Sequence, residues 1–219
     1  MIANIVRIWG KYWMIFLEGL WNTFWIALVA IAVGTIFGTL IALVRMSKRK
    51  GISSIAAIYI EIIRGTPMLL QFYLFWLGLP YLFPTISNLA CALVALCVNS
   101  SAYVAETIRA GIQAVDPGQR EAALSLGLTE SNIMKKVILP QAVKNILPAL
   151  GNEFVVMIKE TALASVFFVG ELMTAFKTVQ SNTFLALEPL IIVGLIYLFI
   201  TLTLSNIMKV FERRMKAND

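Results

Sequence analysis

Residues 19–44 read GLWNTFWIALVAIAVGTIFGTLIALV, without one charged side chain. A neutral stretch of about 18 or more residues is long enough to cross the hydrocarbon core of a bilayer as a helix. Two further stretches, 65–105 and 189–208, are equally free of charge. The whole chain is 59% hydrophobic and 14% charged, against about a quarter charged in a soluble domain. The first run exceeds a secretory h-region and no small-residue cleavage site follows it, so it reads as a retained span. The chain is therefore expected to be an all-α membrane protein.

Working outward, the pattern predicts five spanning helices, over about 20–44, 52–77, 88–112, 146–169 and 188–210. Gly78-Leu79-Pro80 and Phe83-Pro84-Thr85 interrupt the long central run and separate the second helix from the third. Basic residues give the direction, because they favour the cytoplasmic side. Arg45, Lys48, Arg49, Lys50, Arg120, Lys135, Lys136 and Arg213 fall on one side of such a layout, and Arg7, Lys11 and Lys177 on the other. The N-terminus is expected outside and the C-terminus in the cytoplasm. Residues 1–18 mix Arg7 and Lys11 with Trp9, Tyr12 and Trp13, the composition of an interfacial helix. A single membrane domain then covers 19–212 and a cytoplasmic tail 213–219.

The same composition narrows the chemistry. There is no histidine, and Cys91 and Cys97 lie in an apolar run, so a zinc site is not expected. Six residues apart on a helix, these thiols point to different faces and read as packing residues. The net charge of +6 reports orientation and not nucleic acid. No nucleophile–base–orienter set for an enzyme is apparent.

The polar segment 113–145 is the most informative. Asp116 can cap a helix with Pro117 at its first position. Gly127 can close that helix, and Thr129 can cap a second short one, ended by Leu139-Pro140. A hairpin this small must pack on something. Its residues Glu121, Ala122, Ala123, Gly127, Val137, Leu139 and Pro140 resemble the EAA signature of ABC importer permeases, with Val137 where isoleucine is usual. Asn99–Glu106, Leu147–Phe154 and Ile63–Pro67 are similar to the polar amino acid permeases of the histidine, glutamine, arginine and cystine type. The resemblance covers nearly the whole chain.

That resemblance implies a type I ABC importer transmembrane fold in a bacterial plasma membrane. The hairpin would be the coupling helix of a separate ATPase dimer, with Glu121, Ala122, Ala123, Gly127, Leu139 and Pro140 carrying the contact. No Gly-x-x-x-x-Gly-Lys-[Ser/Thr] motif occurs, so ATP and magnesium are expected in the partner and no cofactor in this chain. A second permease subunit, identical or paralogous, would complete the pore. An extracytoplasmic binding protein would deliver a polar amino acid. The competing reading is a stand-alone secondary transporter or channel. It fits poorly with five helices lacking an inverted repeat.

Charged and polar groups inside a membrane mark pathways or pairs. Asn99, Tyr103 and Glu106 share a helix face, as do Glu153, Met157 and Glu160. At 1.5 Å per residue Asn99 sits about 16 Å along its helix, level with Met157 and near Glu153. Asn99, Glu153, Met157 and Gln71 are therefore the expected substrate contacts, Glu153 opposite an ammonium group and Asn99 among donors to a carboxylate. Amides freed by a break at Thr66-Pro67 would add further donors. Glu61, Arg64, Glu106 and Arg109 are expected to form structural ion pairs.

Overall fold

A computed structural model describes residues 1–216, and every regular element among them is helical. Residues 217–219, the end of the expected tail, lie outside the described residues. Helix α1 (Ile2–Arg45) runs without interruption through the expected interfacial segment into the first apolar run. No proline divides them, so the boundary at 18 is not a break in the chain. At 1.5 Å per residue α1 is about 66 Å long, twice the hydrocarbon thickness.

One face of α1 carries Thr23, Ala27, Ala30, Gly34, Gly38 and Ala42, all buried. Side chains this small let a second backbone come close. In lipid that close contact replaces the hydrophobic drive between helices. The second backbone is α4 (Asn88–Gln113), capped by the Ser87 hydroxyl accepting from Ala90 N. Gly34 lies against Ser100, and Gly38 against Ser101 and Val104. Contacts rising together along both chains make the two helices parallel, so Arg45 and Gln113 end on the same side.

The expected second span, 52–77, divides at the expected break, Thr66-Pro67, into two helices. Helices α2 (Lys50–Arg64) and α3 (Met68–Leu82) meet at a bend of 104°. Pro67 has extended backbone and cannot continue α2, because its ring excludes the i−4 hydrogen bond. The expected break at Gly78–Pro80 is absent. Pro80 lies inside α3, near the helix end where one missing bond costs little, and the turn begins at Phe83.

A second correction concerns Leu139-Pro140. The short helices α5 (Pro117–Ser125) and α6 (Glu130–Ile133) form the hairpin, but Pro140 ends nothing. A π turn over Met134–Ile138 leads directly into α7 (Leu139–Glu160), with Pro140 in its first turn. Proline, which has no N–H to place in the ladder, is accommodated there by the wider π turn before it. Helix α7 continues as a 3-10 segment, Thr161–Phe167, ending at Phe168 in the left-handed region with φ 57. Phe167 stacks on Phe72 at 5.6 Å and meets Trp76 at 5.4 Å, which fixes this segment to α3.

Helix α8 (Leu172–Thr183) was not expected. Its buried Leu172, Ala175 and Val179 follow a helical period that a search for spans passes over. Helix α9 (Leu187–Lys216) extends past the expected boundary at 212. By length and composition α1, α4 and α9 can each cross a membrane, and the bent α2–α3 pair makes up to a fourth. Helix α7, the expected fourth span, carries Lys144, Glu153, Lys159 and Glu160 and does not meet that criterion. The central core joins Ile26, Phe72, Leu96, Met157 and Phe167 from α1, α3, α4, α7 and the 3-10 segment.

Candidate functional site

The break between α2 and α3 exposes backbone groups that need partners. Gln71 supplies them. Its amide nitrogen donates to Ile63 O at 2.7 Å, Thr66 Oγ1 at 3.0 Å and Thr66 O at 3.2 Å. Its oxygen accepts from Asn99 Nδ2 of α4 at 3.0 Å. Both side chains are buried, Gln71 at 2% exposure and Asn99 at 8%. The structure thus brings these two expected contacts together as a latch across the bend. Gln71→Leu would remove these bonds and leave the buried Asn99 Nδ2 without its partner, at about 1–3 kcal/mol. A lowered unfolding midpoint of the purified protein, by several degrees, is the expected result.

Met157 is 2% exposed inside the central core, so here it packs and offers no surface to a ligand. Glu153 is half-buried on α7. No ion pair among the described residues involves it, with the nearby Lys159 or with any other residue. A groove of about 760 Å³ in the structure includes none of Gln71, Asn99, Glu153 or Met157.

The expected ion pairs form without Glu61. Glu106 and Arg109 make a two-pronged contact, with Arg109 Nε donating to Oε2 at 2.8 Å. Arg64 Nη1 lies 3.8 Å from Glu106 and its guanidinium faces the Tyr103 ring at 5.5 Å. Arg64 thus ties α2 to α4. Glu61 is exposed and has no ion pair among the described residues, because Arg64 turns away toward α4.

The hairpin is built as its caps predict. Asp116 Oδ1 accepts from Gly118 N at 2.7 Å and Thr129 Oγ1 from Asn132 N at 3.4 Å. Gly127 has φ 77. Its N–H donates to Leu124 O and that of Leu128 to Ala123 O, the paired bonds of a Schellman cap. Arg120 pairs with Glu130 across the two arms. Ala123 turns inward, packed with Val115, Ile133, Ile138 and Ala142. It supports the hairpin from inside, while Glu121, Ala122 and Leu126 are exposed. Leu126 at the tip is 82% exposed.

One buried acid escaped the sequence reading. Glu171 is fully buried and caps α8, accepting from Met173 N at 2.8 Å, Thr174 N at 2.7 Å and Tyr197 OH at 3.1 Å. It ties α8 to α9. Its signal is an acid directly before an amphipathic period, a cap position.

Residues 30–217 match the family described as the binding-protein-dependent transport system inner membrane component. The chain is 44% identical to the arginine transport system permease protein ArtQ of Bacillus subtilis, covering 93% of each chain. It is 37% identical to the glutamine transport system permease protein GlnP of Escherichia coli K12, over 95% of this chain and 97% of that one. Among solved structures, an amino acid ABC transporter crystallised with histidines superposes with a TM-score of 0.91 at 50% identity, covering 94% of this chain and 96% of the other. The methionine ABC transporter MetNI, inward facing, shares the fold at a TM-score of 0.78 and 18% identity, over 92% and 96% of the two chains.

Proposed function

The chain belongs to the family of binding-protein-dependent transport system inner membrane components, and from that premise we propose that it passes a polar amino acid across a bacterial inner membrane as half of an ATP-driven pore. Relatives named for arginine and glutamine, and a structure solved with histidines, support that substrate class. The observation that carries the reading is the hairpin. A rigid, self-packed turn with an exposed apolar tip is joined without a loop to the helix bearing Glu153. Such an element suits a docked ATPase subunit, which supplies the ATP and magnesium.

In this reading the chain crosses five times. Helix α7 is the polar crossing, and the N-terminus lies outside, as the basic side chains favour. A second permease subunit encloses the path and an extracytoplasmic binding protein feeds it. Glu153 holds the substrate ammonium group, since a half-buried carboxylate without a salt bridge attracts a cation strongly. Asn99 and Gln71 form the floor of the site through the latch they already make. The first-turn amides of α3, Met68 to Leu70, face the break and suit a carboxylate.

The test is uptake into proteoliposomes containing the permease, its ATPase and its binding protein. Arginine, glutamine and histidine are the first candidates. Glu153→Gln is expected to lower uptake about tenfold or more, the loss of one charge-assisted contact. Normal uptake by that variant would remove Glu153 from the path.

A further inference from the structure

The outward faces of α1, α2 and α4 enclose a groove of about 760 Å³, a volume within the range of about 300–1,000 Å³ typical of ligand clefts. Val33, Phe37, Leu40 and Val44 form one wall, with Ile55 and Cys97 opposite. The polar groups in its lining are already bonded to each other: Tyr59 OH donates to Val98 O at 3.1 Å and lies 2.7 Å from Ser101 Oγ. The groove therefore suits hydrocarbon. From Val33 to Val44 it follows α1 for about 16 Å, one half of the bilayer core.

One end of the groove, lined by Val44 and Ile52, lies beside the α1–α2 turn. Arg45 donates there to Ser53 Oγ at 3.0 Å, which fixes the turn. Lys48, Arg49 and Lys50 stand exposed around it. Because α1 and α4 are parallel, this is the end from which the hairpin projects.

We infer that the groove holds an acyl chain of an anionic phospholipid from the leaflet on the hairpin side, with its phosphate on the basic turn. A neutral lipid would fill the groove but leave the cations unmatched. A second copy of the chain would bring its own basic turn to the contact and repel it. The inference does not depend on which solute the permease carries.

The full-length permease, purified in neutral detergent, is offered equal amounts of dioleoyl-phosphatidylglycerol and dioleoyl-phosphatidylcholine and examined by native mass spectrometry. Retention of one phosphatidylglycerol per chain, at least about tenfold over phosphatidylcholine, is expected from three basic side chains. Lys48→Gln/Arg49→Gln/Lys50→Gln should erase the preference. Cys97→Phe fills the groove without changing charge and should release the lipid. Leu40→Trp, on the exposed wall, serves the same purpose should Cys97→Phe fail to fold. Equal retention of the two lipids overturns the inference, as does an unchanged preference in the triple variant. Wild-type retention in the folded groove-filling variant would assign binding to the headgroup alone and equally sink it. So would displacement by soluble glycerophosphoglycerol.

Discussion

Gly127→Asp is expected to leave the permease inserted and folded while cutting substrate-stimulated ATP hydrolysis by about thirtyfold, the effect of losing about 2 kcal/mol at the centre of a docking contact. Two causes combine. The first is local: Gly127 sits at φ 77, where an L-residue costs about 1–2 kcal/mol, so the cap that aims Leu126 outward is loosened. The second is the added charge, set beside the 82% exposed Leu126 where a partner's apolar groove would have to desolvate it. Hydrolysis in proteoliposomes, with and without loaded binding protein, reads the coupling. Size-exclusion chromatography of the purified permease reads the fold. Gly127→Asn separates the causes, because asparagine tolerates this backbone region and carries no charge. Full coupling in the aspartate variant would mean that the tip is not the contact.

Gly34→Leu should fail earlier, at packing. A Cβ on Gly34 would lie 2.2 Å from Ser100 Oγ and 2.5 Å from Ser100 Cβ. One on Gly38 would lie 2.8 Å from the Ser101 carbonyl oxygen and from Val104. The double variant Gly34→Leu/Gly38→Leu must push α1 off α4, with overpacking of about 1–3 kcal/mol at each site. Loss of the monodisperse peak in detergent, or a fall of about 10 °C or more in the unfolding midpoint, is expected. The milder Gly34→Ala offers a sharper check. Ser100 Oγ is buried without a hydrogen-bond partner among the described residues, so Ser100→Gly removes both the clash and an unsatisfied hydroxyl. Gly34→Ala/Ser100→Gly should be more stable than Gly34→Ala alone. Additive losses would contradict the close approach of the two helices.

What the sequence made legible was local. Asp116 and Thr129 act on amides two and three residues away and Gly127 on its own backbone, and their caps form as expected. The site of the α2–α3 break was legible in Thr66-Pro67, because proline acts on its own backbone. Its 104° angle was not, since Gln71 and Asn99, 28 residues apart, hold it. Pro140 misled for the opposite reason. It reads as a terminator in isolation, but a preceding π turn gives it a helix start. Glu61 and Arg64 share a helix face, yet Arg64 pairs with Glu106 on another helix. Helix period shows which residues can meet and leaves open which of two partners wins.

The uninterrupted passage from Met134 to Glu160 has a mechanical consequence. Hairpin and helix are one lever, with Pro148 contained within the helix and no hinge where the two join. Glu153 lies about 21 Å along its arm from Leu139. Were the arm to pivot stiffly by about 10°, the carboxylate would sweep about 4 Å, more than the length of a hydrogen bond. A small rotation at the hairpin end would then suffice to make or break contact at the other.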